Sequence, residues 1–272
     1  MLSFPNCKIN IGLNILSKRE NGYHDLQTIF YPVAIKDALE IIETDAPAKD
    51  VIFSSSGIKI NVPEEDNLCI KAVQLLKKDF PALPSIKMHL HKTIPIGAGL
   101  GGGSADAAFA LQLINKKFSL SLSQEQLLQY ALQLGSDCPF FILNKPCYAT
   151  GRGEILEPFS IDLSGYSILL VNPGIYINTA KAFSAISIVE NNTNLKDLVS
   201  MPLWEWKNCI TNDFEKSVFE EHPQIAAIKN ELYAIGALYA SMSGSGSSVY
   251  GIFLKEHRAT LKFPAHFFYR WV

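Results

Sequence analysis

Five glycines fall within seven positions in the run Pro95-Ile-Gly-Ala-Gly-Leu-Gly-Gly-Gly-Ser-Ala-Asp-Ala-Ala108, at Gly97, Gly99, Gly101, Gly102 and Gly103. Glycine reaches positive φ without strain and lacks the Cβ that would hold a ligand off the backbone. An alanine-rich helical pattern follows at once, with Ser104 placed to cap it. A helix start behind such a loop offers unpaired N–H groups and the positive end of a dipole to an anion. The chemistry expected is a phosphate cradle.

The details set aside three familiar phosphate loops. Gly97-x-Gly99-x-x-Gly102 formally fits the dinucleotide-binding pattern. The strand before it alternates, with Met88 and Leu90 opposed to His89 and His91, whereas a doubly wound sheet wants a strand buried on both faces. About 20 residues on, where an acidic ribose ligand would end a second strand, the chain reads Ser119–Ser123 and enters a helix. A P-loop needs lysine at the position held by Gly103. A protein-kinase glycine loop joins two strands, not a strand and a helix.

Other residues have suitable types. Asp137, in Gly135-Ser-Asp-Cys-Pro139, lies just past a helix end, where an aspartate can either serve a site or shape a turn. Lys8 and Asn10 project from the polar face of the first strand, two residues apart and so on one side. Tyr23 and His24 follow the Asn21-Gly22 turn signal. Phe183 sits on an amphipathic helix, as a core residue or as a ring at a site.

The elements that must position these residues can be read coarsely. Residues 7–15 alternate as a half-buried strand, and Leu26–Ile35 returns as its hairpin partner. Short strands are expected at Ile41–Glu43 and Val51–Phe53, and an alternating one at Ile86–His91. Helices are expected over Asn67–Phe80, Ser104–Lys117 and Ser123–Leu134, the last with a Ser123/Gln126 capping box and Gly135 as C′ residue. Phe140–Leu143 reads as a strand. A second block holds a strand at Tyr166–Val171, a helix at Asn178–Val189, helices near Trp204 and over Ile225–Ile235, and strands at Ala237–Ser241 and Val249–Leu254. The last two are joined by Met242-Ser-Gly-Ser-Gly-Ser247. This is an α+β pattern with antiparallel or mixed sheets, each covered by helices on one face. The division falls between Lys145 and Gly165, giving domains 1–152 and 153–272.

Composition narrows the class. A chain of 272 residues suits one large or two modest domains. With 48% hydrophobic and 18% charged residues it reads as a soluble globular enzyme. A net charge of −2 without a basic tract argues against nucleic acid or anionic membrane as partner. Five scattered cysteines without a C-x-x-C pair read as reduced thiols, neither a disulfide frame nor a zinc site. The start MLSFPNCKIN lacks a signal-peptide pattern, and no apolar run approaches 18 residues. A cytoplasmic location is expected.

Taken in order, the motifs resemble a known superfamily. Pro95-x-Gly-x-Gly-Leu-Gly-Gly-Gly-Ser-x-x-Ala is similar to the ATP motif of the small-molecule kinases named for galactose, homoserine, mevalonate and phosphomevalonate. Pro5-Asn-Cys-Lys-Ile-Asn-Ile-Gly-Leu13, Asn21-Gly-Tyr-His-Asp-Leu26, Gly135–Pro139, Gly151-Arg-Gly-Glu154 and Ser243–Ser247 resemble one branch, over nearly the whole chain. That branch phosphorylates the 2-hydroxyl of a cytidine-diphosphate-linked methylerythritol in the non-mevalonate isoprenoid pathway. The resemblance implies an N-terminal domain like ribosomal protein S5 domain 2, a ferredoxin-like C-terminal domain, and a site in the cleft between them. It implies ATP and Mg²⁺ as cofactors, with the magnesium held mainly by nucleotide oxygens and water. ATP would be bound by Pro95, Gly97, Gly99, Leu100, Gly101, Gly102, Gly103 and Ser104, with Asn67, Leu68 and Lys92 around the adenine. Asp137 would be the general base, assisted by Lys8. Asn10, Tyr23, His24 and Phe183 would hold the accepting substrate, the aromatic rings clamping its base. The Ser243–Ser247 loop would support the site, in a monomer or homodimer.

One departure stands out. Many relatives carry Ser-Ser-Asn-Ala-Ala where this chain has Ser104-Ala-Asp-Ala-Ala108. Asp106 suits the helix dipole but sets a negative charge near phosphates, unless it faces magnesium or points away. Two rivals frame the reading. A sibling kinase for homoserine or a mevalonate would not need the aromatic pair. A nucleotide or sugar sensor on the same fold would not need both Lys8 and Asp137.

Overall fold

The computed structural model describes residues 1–45, 50–186, 194–257 and 259–272. They form two compact units that are not sequential.

The first unit comprises Met1–Cys7, Ala34–Ile96 and Gly101–Lys145. Its sheet has the order β1 (Leu2–Ser3), β4 (Ala38–Glu43), β6 (Ile86–Lys92), β5 (Val51–Gly57). β4 pairs antiparallel with β1 and β6, and β5 pairs parallel with β6. β6 alternates as its sequence predicts: Ile86, Met88, Leu90 and Lys92 are buried, and the residues between them are not. Helices α1 (Leu68–Asp79), α2 (Gly102–Lys117), α3 (Gln124–Leu134) and α4 (Cys138–Leu143) pack together. The Oδ1 of Asn67 starts α1 by accepting the N–H groups of Cys69 and Ile70. Both bonds of the Ser123/Gln126 capping box form at α3.

The second unit comprises Lys8–Val33, Gly97–Leu100 and Pro146–Val272. One sheet has the order β2 (Asn6–Lys18), β3 (His24–Lys36), β7 (Cys147–Thr150), β8 (Ile155–Pro158). A second, antiparallel sheet has the order β10 (Tyr239–Met242), β11 (Val249–Leu254), β9 (Tyr166–Asn172), β12 (Phe268–Trp271). Its helices are α5 (Thr179–Ser184), α6 (Leu195–Val199), α7 (Trp206–Cys209), α8 (Phe214–Glu221) and α9 (Pro223–Ala234). One core joins Leu13, Ile15 and Leu26 of the first hairpin to Leu169, Val171, Phe214 and Met242.

Several expectations are corrected. Phe140–Leu143 is helical, not a strand, because a four-residue apolar run has no period to tell the two apart. Pro139 in the first turn costs that helix no hydrogen bond. Ser104 does not cap α2, which starts two residues earlier behind Gly101 and has no side-chain cap. Gly135 ends α3 with extended backbone (φ 164°), not as a left-handed C′ residue. β2 is buried on both faces over its first ten residues, not half-buried. Of the helix expected over Asn178–Val189, α5 occupies Thr179–Ser184, and residues 187–189 lie outside the described residues.

Candidate active site

The glycine loop has the conformation its composition suggests. Gly97, Gly99 and Gly101 have φ of +66°, +78° and +68°. The first bond within α2 runs from Ala105 N–H to Gly101 O (2.8 Å). The N–H groups of Gly102, Gly103 and Ser104 are therefore left without helical acceptors. A Cβ on Gly103 would meet nothing within 4 Å. This is a bare helix start facing open space, which fits a phosphate.

A second glycine loop holds the first, and the contact is backbone to backbone. A Cβ on Gly99 would stand 1.9 Å from Ser243 O, and one on Gly246 would stand 2.1 Å from Gly99 N. Ser243 Oγ donates to Gly99 O (2.9 Å), and Ser248 N–H donates to Ala98 O (3.2 Å). Leu100 is buried, and its carbonyl accepts the N–H of Lys8 (3.0 Å). Pro95 is buried.

Burial on both faces of β2 forces its polar residues into partnerships. Lys8 Nζ donates to Asn10 Oδ1 (2.6 Å) and lies 4.8 Å from the centroid of the Phe30 ring. Asn10 Nδ2 donates to Thr28 Oγ1 (3.0 Å), and its carbonyl accepts from the Tyr250 hydroxyl (2.8 Å). The structure thus brings Lys8 and Asn10 together. Thr28 and Tyr250 are members of this network that the sequence did not single out.

Asp137 precedes α4 with helical backbone angles and is half-buried. Its neighbour Cys138 carries a thiol that burial pushes up to about 12, opposed by a hydrogen bond with Ser104. Helices α2 and α4 pack against one another within the first unit.

His24 and Phe183 stack on one another, centroids 5.1 Å apart and planes 26° apart. Phe183 also meets Phe214 edge-on (4.8 Å) and is only partly buried. Phe183 therefore belongs to the core edge, and its ring lies directly on His24, with no gap between the two for a base to enter. Burial, and then the charge of Lys18, lowers the His24 pKa, which favours the neutral ring. Tyr23 is 54% exposed, with the Arg152 guanidinium 4.7 Å from its ring centroid. Arg152 was legible only as part of Gly151-Arg-Gly-Glu154.

The residues expected around the adenine are less open. Asn67 spends its Oδ1 on the α1 start, and Leu68 is half-buried as the first residue of that helix. Lys92 is 3% exposed, and its ammonium is held by Asp37 and Asp106. Asp106 therefore faces a lysine and is buried from solvent. The signal for Lys92 was present: it shares parity with Ile86, Met88 and Leu90, and so lies on the buried face of β6.

Comparison with known proteins decides the family. Residues 67–145 match the GHMP kinases N terminal domain, and 195–264 match the GHMP kinases C terminal domain. A protein of Bacteroides fragilis named 4-diphosphocytidyl-2-C-methyl-D-erythritol kinase is 50% identical over 98% of this chain and 97% of its own. One of the same name from Parabacteroides distasonis is 48% identical, over 98% and 94%. The chain belongs to this branch of the GHMP kinases. A crystal structure of 4-(cytidine 5'-diphospho)-2C-methyl-D-erythritol kinase superposes with a TM-score of 0.77 at 28% identity, covering 94% of this chain and 90% of that one. A homoserine kinase from Cytophaga hutchinsonii superposes with a TM-score of 0.66 at 15% identity, covering 92% and 85%, which shows a shared fold. The two-domain GHMP kinase fold, α+β, is thus this chain's fold. Among the described residues no helix is long and apolar enough to cross a membrane.

Proposed function

We propose that the protein transfers the terminal phosphoryl group of ATP to the 2-hydroxyl of 4-(cytidine 5'-diphospho)-2-C-methyl-D-erythritol. The observation that carries this reading is the 50% identity, over 98% of this chain, to a protein of that kinase name, and the bare start of α2 supplies the unpaired N–H groups that the reading requires. Phosphoryl transfer asks mainly for positioning, charge neutralisation and an oriented hydroxyl. The unpaired N–H groups of Gly102, Gly103 and Ser104 bind phosphate oxygens, and the Gly97–Leu100 loop, braced by Ser243 and Gly246, holds the nucleotide. The Asp137 carboxylate accepts the proton of the substrate hydroxyl as its oxygen bonds to phosphorus and the bond to ADP breaks. The Lys8 ammonium, oriented by Asn10, offsets the negative charge of that step. Tyr23, His24 and Phe183 meet the cytosine, which stacks on the outer side of the His24–Phe183 pair because those two rings already lie on one another.

Among the described residues no group of three or more histidine, cysteine, aspartate or glutamate side chains is placed to hold a metal ion. Mg²⁺ would be carried mainly by ATP oxygens and water, where it would neutralise phosphate charge. Asn67 and Leu68 flank the adenine from the start of α1, and Lys92 lies beneath the site with its ammonium held by Asp37 and Asp106. The enzyme works in the cytoplasm as a monomer or homodimer, with no nucleic-acid partner.

An ADP-release assay offering the cytidyl substrate, homoserine and mevalonate separately tests the proposal. Turnover is expected with the cytidyl compound, and Phe183→Ala should raise its KM while leaving that for ATP alone. Turnover of homoserine or mevalonate in its place would overturn the substrate assignment.

A further inference from the structure

Within the first unit, a charge cluster is buried under the start of α2. Lys92 Nζ donates to Asp106 Oδ2 at 2.7 Å and also to Asp37 Oδ2. Asp37 Oδ1 accepts the N–H groups of Thr93 (2.5 Å) and Ile94 (2.9 Å). None of the three side chains is more than 3% exposed. The remaining oxygen, Asp106 Oδ1, is buried and faces no hydrogen-bond donor. A Cβ on Gly102 would stand 2.9 Å from Lys92 Nζ, so the cluster lies directly beneath the first residue of the helix.

The charge count is the difficulty. Two ionised carboxylates and one ammonium leave a net buried charge of one, which is costly in itself. Here it would also lie under the N–H groups that receive phosphate. We propose that Asp106 is a positioning residue that carries a proton. As a carboxylic acid it accepts from Lys92 and donates to the Asp37 carboxylate. It thereby ties the first turn of α2 to the end of β6 and leaves the base of the phosphate site neutral. The functional part of this inference rests on the nucleotide reading given above.

The surroundings agree. Burial, then the Asp37 charge and an Asp37 hydrogen bond, outweigh Lys92 and hold the Asp106 carboxyl at about 7. For Lys92 burial acts downward, but Asp106 and then Asp37 carry the ammonium upward, so it stays charged. Cys69 of α1 also faces the cluster, and burial raises its thiol, with Cys138 of α4 beyond it. Glu40 and Glu43 of β4 and Glu125 of α3 are exposed, while Tyr130 of α3 donates to Asp79 (2.5 Å).

Asp106→Asn keeps the shape and fixes the neutral state, so it is the deciding variant, with Asp106→Ala as the variant that loses the tie. A carboxyl raised on folding binds its proton more tightly in the native state. Wild-type stability should therefore fall as pH rises from about 4 to about 7, and its contribution should level off above that. Asp106→Asn should melt with the wild type at acid pH and above it at alkaline pH, and Asp106→Ala should melt below Asp106→Asn throughout. The wild-type KM for ATP should rise on the order of tenfold across neutrality, about one charge's repulsion, while that of Asp106→Asn stays flat. Parallel KM profiles, or an Asp106→Asn that melts below the wild type at alkaline pH, would overturn the proposal. If the protein binds no ATP at any pH, the nucleotide reading fails, and the melting comparison still decides the proton. If Asp106→Asn does not fold, the wild-type infrared spectrum decides. A buried carboxylic-acid band titrating near neutrality supports the proposal, and its absence overturns it.

Discussion

At the scale of single residues, the site depends on polar groups that folding has taken out of water. Lys8 and Asn10 are 3% and 2% exposed, and each has a hydrogen-bond partner that fixes its direction. A buried, oriented ammonium serves charge neutralisation better than a solvated one, because water no longer competes for it. We expect Asp137→Asn to lower kcat by about 10²–10⁴-fold with ATP binding unchanged, since Asn fills the same space but takes no proton. Lys8→Ala should also lower kcat. In the double variant the two losses should not add in log kcat if both groups serve one chemical step. Single-turnover measurements on the four proteins check this, and strictly additive losses would separate the roles of the two residues.

At the scale of elements, the glycines divide by what surrounds them. Gly99 has positive φ and no room for a Cβ, because Ser243 O occupies that place, whereas Gly103 has ordinary helical φ and open space. Gly99→Ala should therefore cost about 1–3 kcal/mol through backbone strain, more if the two loops must part, and should lower the melting temperature. Gly103→Ala should keep or raise stability, by up to about 1 kcal/mol from helix propensity, yet raise KM for ATP by crowding the phosphate. Thermal melting and ATP kinetics on the pair read the two effects apart. Equal loss of stability in both would show that the loop is only a tight turn. The pattern GxGxGGG gives no hint of this division. It follows from which loop lies against which.

At the scale of the whole molecule, the two units interleave along the chain. Lys8–Val33 and Gly97–Leu100 belong with Pro146–Val272, so residues 1–152 do not contain one unit complete and the other absent. Leu13, Ile15 and Leu26 are buried among residues from the second half. Ile15 N–H donates to Asp213 Oδ2 (2.7 Å), and Leu13 N–H donates to Thr211 O (2.9 Å). Burial of three such side chains, each worth about 1.5–3 kcal/mol, approaches the net stability of a domain, about 5–15 kcal/mol. Fragments 1–152 and 153–272, expressed separately, should each lack cooperative melting and regain it on mixing. Cooperative melting of either fragment alone would contradict the interleaved core.

Several local patterns read correctly, although the Ser104 cap and the left-handed Gly135 did not. The alternation of β6, the Ser123 capping box, the hairpin at Asn21-Gly22 and the positive φ of the loop glycines depend on neighbours a few residues away, and the sequence carried each of them. What it could not settle depended on partners far along the chain. Nothing near Lys8 says that its polar face would be buried, because the covering groups come from distant strands. Nothing near Phe140 says that its apolar run would be a helix end packed on α2 and α3. The sequence left the surroundings of Asp106 open, and only the arrival of Lys92 and Asp37, from 14 and 69 residues away, supplies them. Propensity and periodicity act over one or two turns of chain, whereas burial and charge pairing are properties of the assembled core.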